Sequence, residues 1–357
     1  MKAILVFNYD LSIILKEWQE EGHSAHHLWG KTELEKYGIQ VDILPYDKYS
    51  LIKNISNKIK FLGDLDQQFR IILNQDKYDV VYSAHKMTTA LLGFLRRIGV
   101  LRKPIVAIVH RTFEKNFLSQ LFTRLFVCGN DRLLCLSEAT LNYLRDEFNV
   151  PEEKLGSLNW CIDINYHKLK SENIIFESNK EDSYILSSGR TKRDYETLIN
   201  AFKSLDYNLK IFGYGSSLSS DLLNLPENIR IMKDKFLPTP EVLDEIKKAY
   251  AIAIPLHIDA DKPSNPFGIT SLIEAMAMGK AVIVTRSKYI GIDVEKEGVG
   301  LTVELGDVEG WKNAILYLLE HPDIAKEMGK RGRKLIEKEY NLEVFSRKLA
   351  GYLKSVV

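Results

Sequence analysis

Residues 265–285 read NPFGITSLIEAMAMGKAVIVT, a helix that runs straight into a strand. Asn265 suits a helix N-cap and Pro266 the first helical position, while Gly279 followed by Lys280 is a common stop, so the pattern predicts a helix over 266–278. The run AVIVT (281–285) is apolar at successive positions and therefore on both faces, as in a strand buried inside a parallel sheet. The same run recurs outward along the chain. Strands are expected at 2–7, 40–45, 79–84, 105–110, 132–137, 183–188, 209–213, 229–232, 251–255, 281–285 and 300–304, with amphipathic stretches such as ATLNYLRDEF and YETLINAFKSL between them. Strands that alternate with helices in this way make βαβ units, and the fold class is α/β.

The 357 residues exceed what one hydrophobic core organises, and two domains are expected. The rhythm breaks at HKLKSENIIFESNKEDS, a polar stretch without periodicity. The expected division is an N-terminal domain over 1–166, a linker over 167–183 and a second domain over 184–335. A C-terminal helix over 336–357 is available to pack back on the first domain. Two doubly wound parallel sheets facing across a cleft would bind ligand beyond the carboxyl ends of their strands.

Composition excludes several classes. With 49 Lys and Arg against 48 Asp and Glu, no global field invites nucleic acid. No apolar run approaches the roughly 20 residues that span a bilayer. Three cysteines without ligand spacing give neither a disulfide framework nor a metal motif, which suits a reducing, cytoplasmic setting. MKAILVF reads as a first strand rather than a signal peptide.

Chemistry concentrates in the second half. The start of the 266–278 helix, with the bare Gly268 beside Phe267, is suited to an anion, because free amides and the macrodipole both favour phosphate. Thr270 and Ser271 add hydroxyls. Glu274, two turns in, is flanked by apolar residues and needs donors. A ribose diol would supply them, and so would a nearby Arg or Lys. In ILSSGRTKRDYETL (185–198), Gly189, Arg190, Lys192 and Arg193 gather where a strand ends. Such a cluster is either a solvated basic turn or a diphosphate site. Its presence in one domain with the anion-ready helix favours a nucleotide diphosphate.

FGITSLIEAMAMGKAVIVT resembles the nucleotide-binding segment of retaining GT-B glycosyltransferases, above all the family 4 group. GRTKRDYETL resembles their Gly-Arg turn, LKIFGYGS the strand and turn that follow, and CLSEATLNYLRDEFNVPEEKLGSLNWCIDINYH the end of their first domain and the crossover. The resemblance implies a sugar moved from a nucleotide diphosphate-sugar, UDP on family frequency, to a hydroxyl of a glycan, a lipid-linked or another acceptor. It implies that Glu274 holds the ribose, and that Arg190 and Arg193 neutralise the leaving diphosphate. Asn265, Phe267, Gly268, Ile269, Thr270, Ser271, Lys192 and Gly189 would line the donor. No metal and no further cofactor is expected. His110 matches a histidine that faces the donor sugar near the reaction centre, the alternative being a residue that only satisfies local backbone. On the acceptor side the expectation falls on Ser24, His26, His27 and His85. Paired histidines also bind metal, but no third ligand lies nearby in sequence.

Two departures stand out. Pro266 occupies the place of the family's first Glu, so the contact to the sugar 3- or 4-hydroxyl passes to Asn265 or Asp261. EEGHSAHHLWG (20–30) replaces the Gly-Gly loop after the first strand. A sugar-nucleotide epimerase of the same fold and a non-catalytic nucleotide-sugar-binding subunit are the alternatives. Residues 51–125 hold 13 Lys and Arg against 5 Asp and Glu. With Phe and Leu interleaved at 94–103 and 111–126, they suit either an anionic membrane surface on the inner face or an ordinary basic surface around a packed helix.

Overall fold

The computed structural model describes residues 1–20, 23–59, 62–85, 88–110, 117–171, 183–213, 225–232, 239–258 and 265–357. Most of the expected linker, Asp261 and the stretch 111–116 lie outside them. The chain forms two compact units, Met1–Cys161 with Leu342–Val357, and Ile162–Asn341. Among the described residues each holds one six-stranded, wholly parallel sheet.

The first unit contains β1 (Lys2–Val6), α1 (Leu11–Gln19), β2 (Gln40–Ile43), α2 (Ser50–Lys58), α3 (Leu65–Leu73), β3 (Val80–Ser83), α4 (Ala90–Arg97), β4 (Ile105–Val109), α5 (Phe117–Gly129), β5 (Arg132–Cys135), α6 (Glu138–Phe148) and β6 (Leu155–Ser157). Its strand order is β2-β1-β3-β4-β5-β6. Successive side chains of β1 go to opposite faces, as the pleat requires. Leu5 joins a core with Tyr82, Ile108 and Leu134 on one side, while Ile4 and Val6 join Ile71, Leu92 and Ile105 on the other. Both faces are covered, which is why the inner strands β1, β3 and β4 read as largely apolar runs.

The second unit contains α7 (Ile164–Ser171), β7 (Tyr184–Ser188), α8 (Tyr195–Phe202), β8 (Asn208–Phe212), β9 (Ile229–Met232), α9 (Thr239–Lys248), β10 (Ala251–Ile254), α10 (Ile269–Ala277), β11 (Ala281–Thr285), β12 (Gly300–Val303), α11 (Val308–Glu320) and α12 (Pro322–Glu339). Its order, β12-β11-β10-β7-β8-β9, reverses direction between β7 and β10. Trp311 and Ile315 of α11 and Leu198 and Phe202 of α8 close one core face over Ile185, Leu209 and Ile283.

The unit boundaries differ from those read in the sequence. Division falls at 161/162 and again at 341/342, and 167–171 of the expected linker belong to a helix, α7. The helical tail is broken at Tyr340–Asn341. Asn341 Nδ2 donates to the carbonyls of Ile336 (3.3 Å) and Glu337 (2.8 Å), ending α12. α13 (Leu342–Lys354) then enters the first unit and buries Phe345, Leu349 and Leu353 with Leu5 and Leu134. Tyr352 reaches across it to accept from the Ser157 amide at 3.1 Å.

Candidate active site

The strand order of the second unit leaves a crevice at the carboxyl ends of β7 and β10, where helices depart in opposite directions. The cation-rich turn follows β7 and is stitched to the segment after β10: the His257 amide donates to the Lys192 carbonyl (2.8 Å) and the Asp194 amide to that of Pro255 (3.1 Å). Asp194 then caps α8 by accepting from the Thr197 amide at 3.2 Å. Lys192 is exposed with a φ of 53°, and Arg190 is exposed.

Arg193 is half-buried and held from three directions. Its Nε donates to the Ser188 carbonyl (3.2 Å), Nη1 to that of Thr191 (3.2 Å) and Nη2 to Ser271 Oγ (3.0 Å). The Ser271 hydroxyl in turn donates to the Ser188 carbonyl at 3.3 Å, so α10 and the end of β7 share one guanidinium. Gly189 makes this geometry accessible: its φ is 128°, and a Cβ there would lie within 2.7 Å of Arg193 Cζ. Tyr195 Oη pins the same turn by donating to the Gly189 carbonyl at 2.6 Å.

The helix start differs from the sequence expectation. α10 begins at Ile269, not 266, with Gly268 at the N-cap and no side-chain cap. Asn265 opens a turn instead, its carbonyl accepting from the Phe267 amide at 2.7 Å, and Pro266 accepts from Ile269 at 3.2 Å. Gly268 has a φ of 83° and its Cα faces Ile254 and Leu256 so closely that a Cβ would meet Ile254 Cγ2 at 2.9 Å. An N-terminus without a side-chain cap is suited to an anion through its amides and dipole. Ser271, expected as a ligand donor, is instead committed to Arg193 and Ser188.

Glu274 sits on α10 one turn below Ser271, half-buried, with no hydrogen bond or ion pair to its carboxylate among the described residues. Burial drives its pKa up to about 7, and the Arg193 charge only partly opposes this. Burial likewise lowers the Arg193 pKa, against the pull of Tyr195 and Glu274. A carboxylate kept short of donors beside a guanidinium is primed for a ligand that brings hydroxyls. From sequence, an ion pair and a diol were both open to Glu274. No such ion pair forms among the described residues.

In the first unit the residues expected near the acceptor gather with aromatic rings at the carboxyl ends of the strands. His110 after β4 lies 5.4 Å from the His85 ring after β3, 4.9 Å from Trp29 and 5.8 Å from Trp160, while Phe7 after β1 stacks 5.4 Å from Trp29. Ser24 and His26 are buried, with Ser24 Oγ 2.5 Å from His26 Nδ1, so the serine is occupied within its own turn. His27 is half-buried, its ring 4.1 Å from that of His26. Among the described residues no three His, Cys, Asp or Glu side chains gather as a metal cage, and no helix is long and apolar enough to cross a membrane. Sequence reasoning missed Tyr195, Trp29, Trp160 and Phe7. Phe7 follows β1 and Tyr195 begins α8, while Trp29 and Trp160 lie outside the strands and α-helices, and no spacing rule marks any of the four.

Two family models match the chain, Glycosyl transferases group 1 over residues 170–335 and Glycosyltransferase Family 4 over residues 13–165. An uncharacterized glycosyltransferase of Methanocaldococcus jannaschii is 23% identical over 320 residues, 84% of this chain and 86% of that one. The N-acetyl-alpha-D-glucosaminyl L-malate synthase of Bacillus anthracis is 28% identical over 180 residues, 49% of this chain and 45% of that one. Among solved structures, Anabaena HepE in complex with UDP superimposes with a TM-score of 0.69 at 14% identity, covering 99% of this chain and 100% of that one.

Proposed function

The chain belongs to the group 1, family 4-like glycosyltransferases of GT-B fold, and we propose that it moves a sugar from UDP-sugar to an acceptor hydroxyl with retention of anomeric configuration. The observation that carries this reading is the arrangement at the β7/β10 crevice: an Arg193 guanidinium over a bare Gly189, a helix start without a side-chain cap, and a donor-starved Glu274 on one helix. UDP as the donor base draws on the UDP complex of HepE.

In this reading the Glu274 carboxylate accepts from the two ribose hydroxyls. Arg193, the exposed Arg190 and the α10 amides stabilise the charge that develops on the diphosphate, and fixed charges and dipoles of this kind usually lower such a barrier more than any other single effect. The bond from the sugar anomeric carbon to the phosphate oxygen breaks with its electron pair going to that oxygen. The acceptor oxygen bonds to the same face of the sugar, and its proton passes to the departing phosphate. Fixed cations take the place of a divalent metal. His110 of the first unit is assigned to the donor sugar, and the aromatic rings around it suit the apolar faces of a glycan.

A thermal-shift screen over UDP-, GDP- and ADP-sugars, followed by anomeric analysis of the product in excess chelator, tests the proposal. Stabilisation by the uridine series and a retained anomer are expected. Stabilisation by none of the three overturns the site; an inverted product, or loss of activity in chelator, overturns the mechanism.

A further inference from the structure

The first unit carries a surface to which the proposed transfer assigns no role. Three helices that lie side by side each expose an apolar pair one turn apart: Leu51 and Ile55 on α2, Phe69 and Leu73 on α3, Phe94 and Ile98 at the end of α4. Leu51 is 79% exposed and Leu73 63%. The opposite faces of α3 and α4 insert Ile71 and Leu92 into one core, so both exposed pairs look away from the same sheet face, and α2 packs against α3. Helices in contact are roughly 10 Å apart, so the three stripes span about 20 Å.

Cations predominate in the segment that carries the stripes. Residues 48–103 contain 11 Lys and Arg against 4 Asp and Glu. Two of the four acids, Asp64 and Asp66, are buried, joined to Lys53 and Arg70. Lys48, Lys58 and Arg97 are exposed and form no ion pair among the described residues. On the neighbouring α5, Phe126 and Val127 are buried in the β4–β5 core.

We infer that the α2–α3–α4 face docks on an anionic lipid surface, with the apolar pairs entering the headgroup boundary and the flanking cations meeting lipid phosphates. A second copy of the chain is the poorer occupant, because two-fold pairing of this face sets like charges together. The inference does not rest on the transfer reaction.

Co-sedimentation of the full chain with vesicles of phosphatidylcholine, with and without phosphatidylglycerol, at low and high salt, tests it. Binding only to the anionic vesicles and weakening with salt is expected. The double variant Leu73→Glu/Phe94→Glu should partition at least about tenfold less, with its UDP affinity unchanged. Failure of the parent to bind anionic vesicles, or equal partitioning of the variant, overturns the inference. So does a lipid-free dimer, seen by sedimentation velocity, that the double variant dissociates, which would make the face an interface between copies.

Discussion

Lowering the pH should loosen nucleotide binding through one side chain, Glu274. Its unliganded carboxyl is pushed up to about 7 by burial, and the ligand's hydroxyls favour the ionised form. Binding therefore tightens as pH rises and levels off above about 7. At pH 5.5 only about 3% of the carboxyl is ionised, which sets a ceiling of about thirtyfold on the loss of affinity relative to pH 8, or about 2 kcal/mol. A protonated carboxyl still offers one acceptor oxygen, so the measured loss falls below that ceiling. Isothermal titration of UDP from pH 5.5 to 8 reads it directly, with Glu274→Gln as the control that removes the carboxyl while leaving the pH dependence of the ligand phosphate. The unliganded protein carries the reverse sign. A raised carboxyl pKa means that the native state holds its proton more tightly than the unfolded chain does, so stability falls as pH climbs from about 4.5 to about 7, by about 3 kcal/mol in all. Glu274→Gln should therefore raise the unliganded melting temperature at pH 8 while weakening UDP binding. Parallel pH profiles for parent and variant would refute the reasoning.

Arg193→Lys keeps the charge but cannot reach Ser188, Thr191 and Ser271 together, so turnover should fall at least about tenfold in a steady-state assay. Gly189→Ala forces a side chain into a conformation that is nearly glycine-only and into the guanidinium of Arg193, and should cost about 2 kcal/mol or more by chemical denaturation. An unchanged midpoint would contradict the described turn. Leu349→Ala empties a fully buried position under the first sheet and should cost about 3 kcal/mol, measured the same way; a loss under about 1 kcal/mol would mean that α13 is not packed as described.

Eleven strands were legible, the central ones because parallel strands covered on both faces leave no polar alternation to confuse with a loop or a helix, and the edge strands β2 and β9 because apolar residues alternate with Gln40, Asp42 and Arg230 at the period of a strand. β6 was not: Leu155–Gly156–Ser157 is three residues at a sheet edge with a glycine in its middle, too short to show any period. The helical tail read as one element because Tyr340–Asn341 contains neither Pro nor Gly, and its break depends on a side-chain cap that only the folded chain reveals. At the site, residue types betrayed the charge chemistry of Arg193 and Glu274, since a cation cluster after a strand and an acid in an apolar helix are local facts. The start of α10 was misplaced because Asn265 and Pro266 satisfy local capping rules, whereas the φ of 83° at Gly268 and its approach to Ile254 come from tertiary packing. Ser271 was assigned to a ligand for the same reason: its partner Arg193 lies 78 residues away in sequence.

The return of α13 to the first unit bears on how the chain is made. Residues 162–341 are contiguous and form a complete unit, so they can fold as soon as they leave the ribosome. The first unit, although synthesised earlier, lacks part of the cover on one sheet face until Phe345, Leu349 and Leu353 emerge to join Leu11, Trp29 and Leu34 there. Its core would wait, with an apolar patch open to chaperones, for a segment made some 180 residues after β6, and the order of completion would run opposite to the order of translation.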